Sequence, residues 1–145
     1  MFGLCSQIRD YWYLLGFFGL VPWLVVLDRT RTLRGSALSG LAMCVAFEAA
    51  VFAWFGYAIA VYSGAPASAG LLVVLLAAPL LQPQFVVFAV VRRLVRHHHG
   101  WALRALAGAS AWVATEWLFP KLLADNLAHG IYPSTVLRQL ADVAG

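Results

Sequence analysis

The chain has 145 residues, 63% of them hydrophobic and only 11% charged. Its mean hydropathy of +0.82 means more apolar surface than a water-soluble domain of this length can bury, so an ordinary soluble domain is excluded and lipid must supply the missing solvent. The formal net charge of +4 does not point to nucleic acid, because the arginines gather where helices turn instead of along one exposed face.

A run of about 18 to 25 residues with few charges crosses a hydrocarbon core of roughly 30 Å as a helix. Four such runs are read in chain order, at 11–27, 36–62, 69–91 and 101–119. The first is short and contains Pro22, which a membrane helix tolerates when neighbouring groups satisfy the freed carbonyl. The residues ahead of Tyr11 lack the basic stretch of a cleavable signal, so this run is expected to remain as an anchor. Cys5 is rejected as a lipidation site because Phe2-Gly3-Leu4 puts a bulky residue where a small one is needed. The loop at 28–35 then brings Arg29, Arg31 and Arg34.

Within the second run lies Glu48. A carboxylate at mid-span costs on the order of 3 kcal/mol on insertion scales and must face protein or water. Ser36, Gly40 and Cys44 precede it at successive i+4 steps, a ridge of small residues along which another helix can approach closely. Two readings stay open for Glu48: a polar contact inside a lipid or substrate cavity, or a protonated glutamate bonded to a neighbouring helix.

After an uncharged turn at 63–68, the third run carries Pro79 and then Gln82-Pro83-Gln84. Prolines spaced i to i+4 predict a bend there, and the two amides require partners, either across helices or along a polar substrate path. The loop at 92–100 holds Arg92, Arg93 and Arg96 followed by His97, His98 and His99. With no cysteine or carboxylate nearby in sequence, this reads as a basic loop facing lipid headgroups and not as a metal site. In the fourth run Glu116 is expected to share a bundle-facing side with Ala105, Ala109 and Trp112, while Trp112, Trp117 and Phe119 suit an interfacial aromatic belt.

Short connections make sequential helices antiparallel. The fold class is therefore an all-α membrane protein, with about four antiparallel transmembrane helices in residues 1–119. Residues 120–145 form a C-terminal interfacial amphipathic segment. The positive-inside rule makes both arginine loops cytoplasmic and puts Met1, the 63–68 turn and everything after Pro120 outside. In the tail, Ser134 caps a short helix with Val136, Leu137, Leu140 and Val143 on one side and Arg138 and Asp142 on the other. Asp125 and His129 have the spacing of an acid–base dyad, but no hydroxyl or thiol nucleophile pairs with them. Residue chemistry alone reveals no catalytic constellation, no metal ligand set and no cofactor motif.

Three stretches carry a likeness beyond this. They are Gly19-Leu20-Val21-Pro22-Trp23-Leu24 ahead of a basic loop, Glu116-Trp117-Leu118 at the outer end of a helix, and the tail from Pro120 to Leu137, Gln139, Ala141, Asp142 and Gly145. In that order they resemble the membrane portion of the bacterial apolipoprotein N-acyltransferase family. The resemblance implies the inner membrane as location, with a periplasmic tail and phospholipid as a partner. It also implies participation in N-acyl transfer from phospholipid to lipoprotein. The family's catalytic glutamate, lysine and cysteine lie in a nitrilase-like domain. None of Cys5, Cys44, Glu48, Glu116 or Lys121 matches them, so no catalytic role is carried over and a separate nitrilase-like domain is the implied partner. The expected polar bundle or lipid-cavity residues are Glu48, Gln82, Gln84, Trp112, Glu116 and Trp117. The alternative is a small inner-membrane scaffold that docks a partner through the Ser36-Gly40-Cys44-Glu48 ridge.

Overall fold

A computed structural model describes residues 18–97, 100–119 and 139. The readings made for the tail, Cys5, His98, His99 and the start of the first run lie outside these residues.

Every regular element among the described residues is a helix, and local chemistry sets most of the ends. α1 (Val21–Arg29) begins with Pro22 in its first turn, where a missing N–H costs nothing. α2 (Leu33–Val51) is capped by Thr32, whose Oγ1 accepts from Gly35 N at 3.0 Å. α3 (Ala53–Ser63) stops at Gly64, which takes the left-handed conformation at φ 70°. α4 (Ala67–Leu81) starts after Pro66, α5 (Pro83–Leu94) runs into a short 3-10 turn at Val95–His97, and α6 (Trp101–Leu118) follows Gly100.

The second predicted run, 36–62, is not one helix. It starts three residues earlier, at Leu33, and breaks at Phe52 into α2 and α3. The third run also divides, at Gln82, and its halves meet at 45°. Of its two prolines only Pro83 breaks the helix. It bars Gln82 from helical dihedrals (φ −129°, ψ 52°), whereas Pro79 is absorbed inside α4. The break at Phe52 has no proline or glycine to cause it. Its origin is tertiary: α2 packs along α5 and α3 along α4, so when α4 and α5 part at an angle the opposing arm must bend as well.

Among the described residues α2 alone is long and apolar enough to cross a membrane as a single helix. α4 with the segment continuing to His97 makes a second candidate as a bent pair. α6 has 18 residues, but Arg104, Ser110, Thr115 and Glu116 dilute its apolar character.

Close approach is built on small residues. At the α3/α4 crossing a Cβ added to Gly70 would lie 2.0 Å from Gly56 O, so backbone meets backbone there. Gly108 receives the Phe88 ring, whose Cε2 would be 2.9 Å from an added Cβ, and so seats α6 on α5. Trp23 ties α1 to α2 by donating from Nε1 to Ser39 Oγ at 3.0 Å.

The two arginine loops meet at one end of the bundle. Arg92 grips Asp28 in a two-pronged pair, Nε to Oδ1 and Nη2 to Oδ2, both at 2.9 Å. Arg93 donates to Arg31 O at 2.6 Å and Arg96 to Thr30 O at 2.9 Å. The hydrogen bond from Arg92 is the main reason the Asp28 carboxyl titrates below its ordinary value of 3.8, with Arg92, Arg96 and Arg104 adding their charge.

Candidate functional site: a buried polar seam at two helix breaks

The seam begins with the periodicity of α2. Ser36, Gly40, Cys44 and Glu48 recur every fourth residue, fall on one face, and are all buried. Gly40 brings α5 into contact, since an added Cβ would meet Val86 Cα at 2.7 Å and Phe85 O at 2.9 Å. The ridge is therefore covered from within the chain, by Thr30 at Ser36, by α5 at Gly40 and by Gln82 at Cys44 and Glu48. This corrects the expectation that it docks another protein: its partner is a segment of its own chain, and no space remains along it for a second helix.

Gln82 stands opposite the end of that ridge. Leaving helical dihedrals ahead of Pro83 puts its carbonyl and side chain out of the regular ladder, and in an apolar interior both need partners. Helix α2 supplies them. Cys44 Sγ donates to Gln82 O at 3.1 Å, and Gln82 Nε2 donates to Glu48 Oε1 at 3.1 Å. Gln84 Nε2 donates in turn to Gln82 Oε1. Glu48 is 0% exposed, Gln82 6% and Gln84 3%, so three residues separated by up to 36 positions form one dry chain of polar contacts. Gln82 serves as the hinge of this chain, donating one way and accepting the other.

An aromatic wall closes the seam. Phe85, fully buried, holds Trp112 edge-on at 4.9 Å, Phe47 at 5.3 Å and Trp23 edge-on at 5.7 Å between ring centroids. Phe88 continues the wall, 5.6 Å from Trp23 and 6.0 Å from Trp112. Such rings exclude water and orient one another through their quadrupoles. Glu48, Gln82 and Gln84 thus come together, and Trp112 packs on Phe85 and Phe88 of the wall.

Glu116 and Trp117 do not join them. Glu116 is half-buried at the border of the packed face, and Trp117 is 88% exposed. The buried positions of α6 are Gly108 and Thr115, while Ala105 and Ala109 are exposed. The helix is turned by about one residue, roughly 100°, from the face expected in the sequence. Gly108 explains the rotation, as it is the position that can admit the Phe88 ring. Thr115 satisfies its own hydroxyl by donating to Ala111 O at 2.6 Å.

Chemically, the seam can hold a carboxyl group and two amides away from water. The Cys44 thiol is spent on a backbone carbonyl and lies at 0% exposure, a poor arrangement for a nucleophile. Among the described residues no group of three or more histidine, cysteine or acidic side chains converges as metal ligands do. Phe85, the centre of the wall, was missed in the sequence because it looks like any other residue of an apolar run.

The family model for the apolipoprotein N-acyltransferase N-terminal domain matches residues 3–145. No curated protein and no solved structure matches the chain.

Proposed function

The chain belongs to the apolipoprotein N-acyltransferase N-terminal-domain family, and from that premise we propose that it is a lipid-facing platform for phospholipid-to-lipoprotein N-acyl transfer which does not carry the transfer chemistry itself. At family level its function is lipoprotein N-acyltransferase-related, and its place is a membrane. The observation that carries the finer reading is the match over residues 3–145, to which the dry seam adds a physical role. Gln82 bonds to both Glu48 and Gln84, and all three are buried. That arrangement suits a rigid core that fixes two bent spans. The catalytic glutamate, lysine and cysteine belong, in this reading, to a nitrilase-like domain outside these residues.

The runs at 11–27, 36–62, 69–91 and 101–119 are four crossings, the middle two each made of two helices. Both arginine loops face the cytoplasm, both termini face the periplasm, and residues 120–145 lie along the outer surface. The junction of the arginine loops supports one part of this, that both loops share a side, since loops on opposite sides of a bilayer could not reach each other.

A chimera tests the proposal. These residues are placed where the matching segment stands in an active apolipoprotein N-acyltransferase, and acyl transfer from phospholipid to a diacylated lipopeptide is followed. Transfer by the chimera and none by the present chain alone is the expected result. Transfer by the purified chain alone, or an inserted, folded chimera without transfer, would contradict it.

A further inference from the structure

The end of the bundle where the arginine loops meet has a chemistry that the seam does not use. Among the described residues seven arginines are found there, namely Arg29, Arg31, Arg34, Arg92, Arg93, Arg96 and Arg104, against one carboxylate, Asp28. Arg104 stands in the first turn of α6, and its charge, like that of Arg96, reaches Asp28. The positive-inside rule requires only that such residues be present on one side during insertion. It does not require the loops to be joined. Here they are joined three times, by the Arg92–Asp28 pair and by the bonds of Arg93 to Arg31 O and of Arg96 to Thr30 O. Thr30 Oγ1 and Ser36 Oγ, 2.8 Å apart, brace the first loop against α2.

These bonds use the backbone of Arg31 and leave its guanidinium outside. Arg29, Arg31, Arg34 and Arg104 are all exposed, and no hydrogen bond from their side chains is present among the described residues. Directly beside them stand exposed apolar side chains, Leu33 at 47%, Leu94 at 54% and Trp101 at 78%. Exposed guanidinium groups together with exposed leucine and tryptophan side chains at the same end of the bundle match a molecule that carries both an anionic head and an apolar body. An acidic protein or a nucleic acid would have no use for those apolar side chains.

We infer that the joined arginine loops form a binding site for anionic phospholipid headgroups in the leaflet at this end of the bundle, with Arg31, Arg34 and Arg104 as phosphate-binding groups. The site rests on the membrane reading of the chain and is independent of acyl transfer. Arginine suits the task because its planar fork binds phosphate oxygens in pairs, and basic pockets at the ends of membrane helices are where acidic lipids are held.

The test reconstitutes the full chain into phosphatidylcholine vesicles containing one fifth phosphatidylglycerol, extracts it in mild detergent, and weighs the retained lipid by native mass spectrometry. The ratio of phosphatidylglycerol to phosphatidylcholine in the retained lipid is expected to be about five-fold above that of the vesicle. Millimolar inorganic phosphate or glycerol phosphate should leave that retention unchanged, because neither has an acyl chain for the apolar side chains. The triple variant Arg31→Gln, Arg34→Gln, Arg104→Gln should lose the enrichment while circular dichroism keeps its helix content, and the corresponding lysine variant should retain part of it. If the triple variant does not fold, the enrichment in the parent chain decides alone. Retention in proportion to the vesicle composition overturns the site, as does full enrichment in the folded triple variant. Displacement by soluble phosphate overturns the assignment to lipid. A chain that does not enter the vesicles contradicts the membrane reading itself, an outcome distinct from entry without selectivity.

Discussion

Two polar networks among the described residues differ in nearly every physical respect. At the helix breaks Glu48, Gln82 and Gln84 are neutral or singly charged partners sealed from water. At the basic end Arg92 and Asp28 form a better-shaped ion pair, yet their side chains remain 28% and 57% exposed. Geometry would rank the ion pair first, but burial reverses that order. An exposed pair exchanges one set of hydrogen bonds for another with water and typically contributes less than about 1 kcal/mol, whereas a buried donor deprived of its partner costs about 1–3 kcal/mol. The seam should determine whether the bundle forms, and the basic end should adjust where and how it sits.

The contrast can be broken most forcefully at the close approach that creates the seam. Gly40→Leu would drive a side chain into Val86 and the Phe85 carbonyl. It should destabilise the protein by about 3 kcal/mol or more, seen as a loss of folded protein in detergent. Next comes Gln82→Leu, which removes the hinge between Glu48 and Gln84. About 1–2 kcal/mol is expected, since polar contacts in membrane proteins rarely exceed that, and thermal unfolding in detergent measures it.

Arg92→Gln should come last. It should cost under about 1 kcal/mol, with an effect that shrinks as salt is raised. The sign with pH follows from the lowered titration of Asp28. Its contribution is fully present above the ordinary value of 3.8 and fades as pH falls through the lower value of the folded state, so Asp28→Asn should matter at pH 7 and progressively less as the pH is taken down below 3.8. An equal or larger loss from Arg92→Gln than from Gln82→Leu would overturn the ranking.

The same two regions also separate what could be read in the sequence from what could not. Glu48 and the ridge before it were legible because a carboxyl in an apolar helix has to be turned inward, and i+4 spacing says which face it shares. The bend near Gln82 was legible from Pro83. By contrast, the break at Phe52 leaves no local mark, because it follows from the bend of the helix alongside. The ion pair at the basic end joins residues 64 positions apart, and a loop arginine gives no sign of which acid it will meet. The orientation of α6 was misread for a related reason. A glycine among alanines looks ordinary until a ring from another helix, Phe88, is seen to need the space above Gly108.

In the proposed topology the two arginine loops lie on one side of a membrane, with the seam between them and the opposite turn. The direct measurement uses single cysteines, Arg31→Cys, Arg96→Cys and Tyr62→Cys, in a chain with Cys5 and Cys44 replaced by serine, treated in bacterial spheroplasts with a membrane-impermeant maleimide. Tyr62, 93% exposed beside the uncharged turn, should give a position labelled from outside, whereas the positions of Arg31 and Arg96 should label only once the membrane is opened. Labelling of the Arg31 and Arg96 positions from opposite sides, or of both from outside, would contradict the proposed topology.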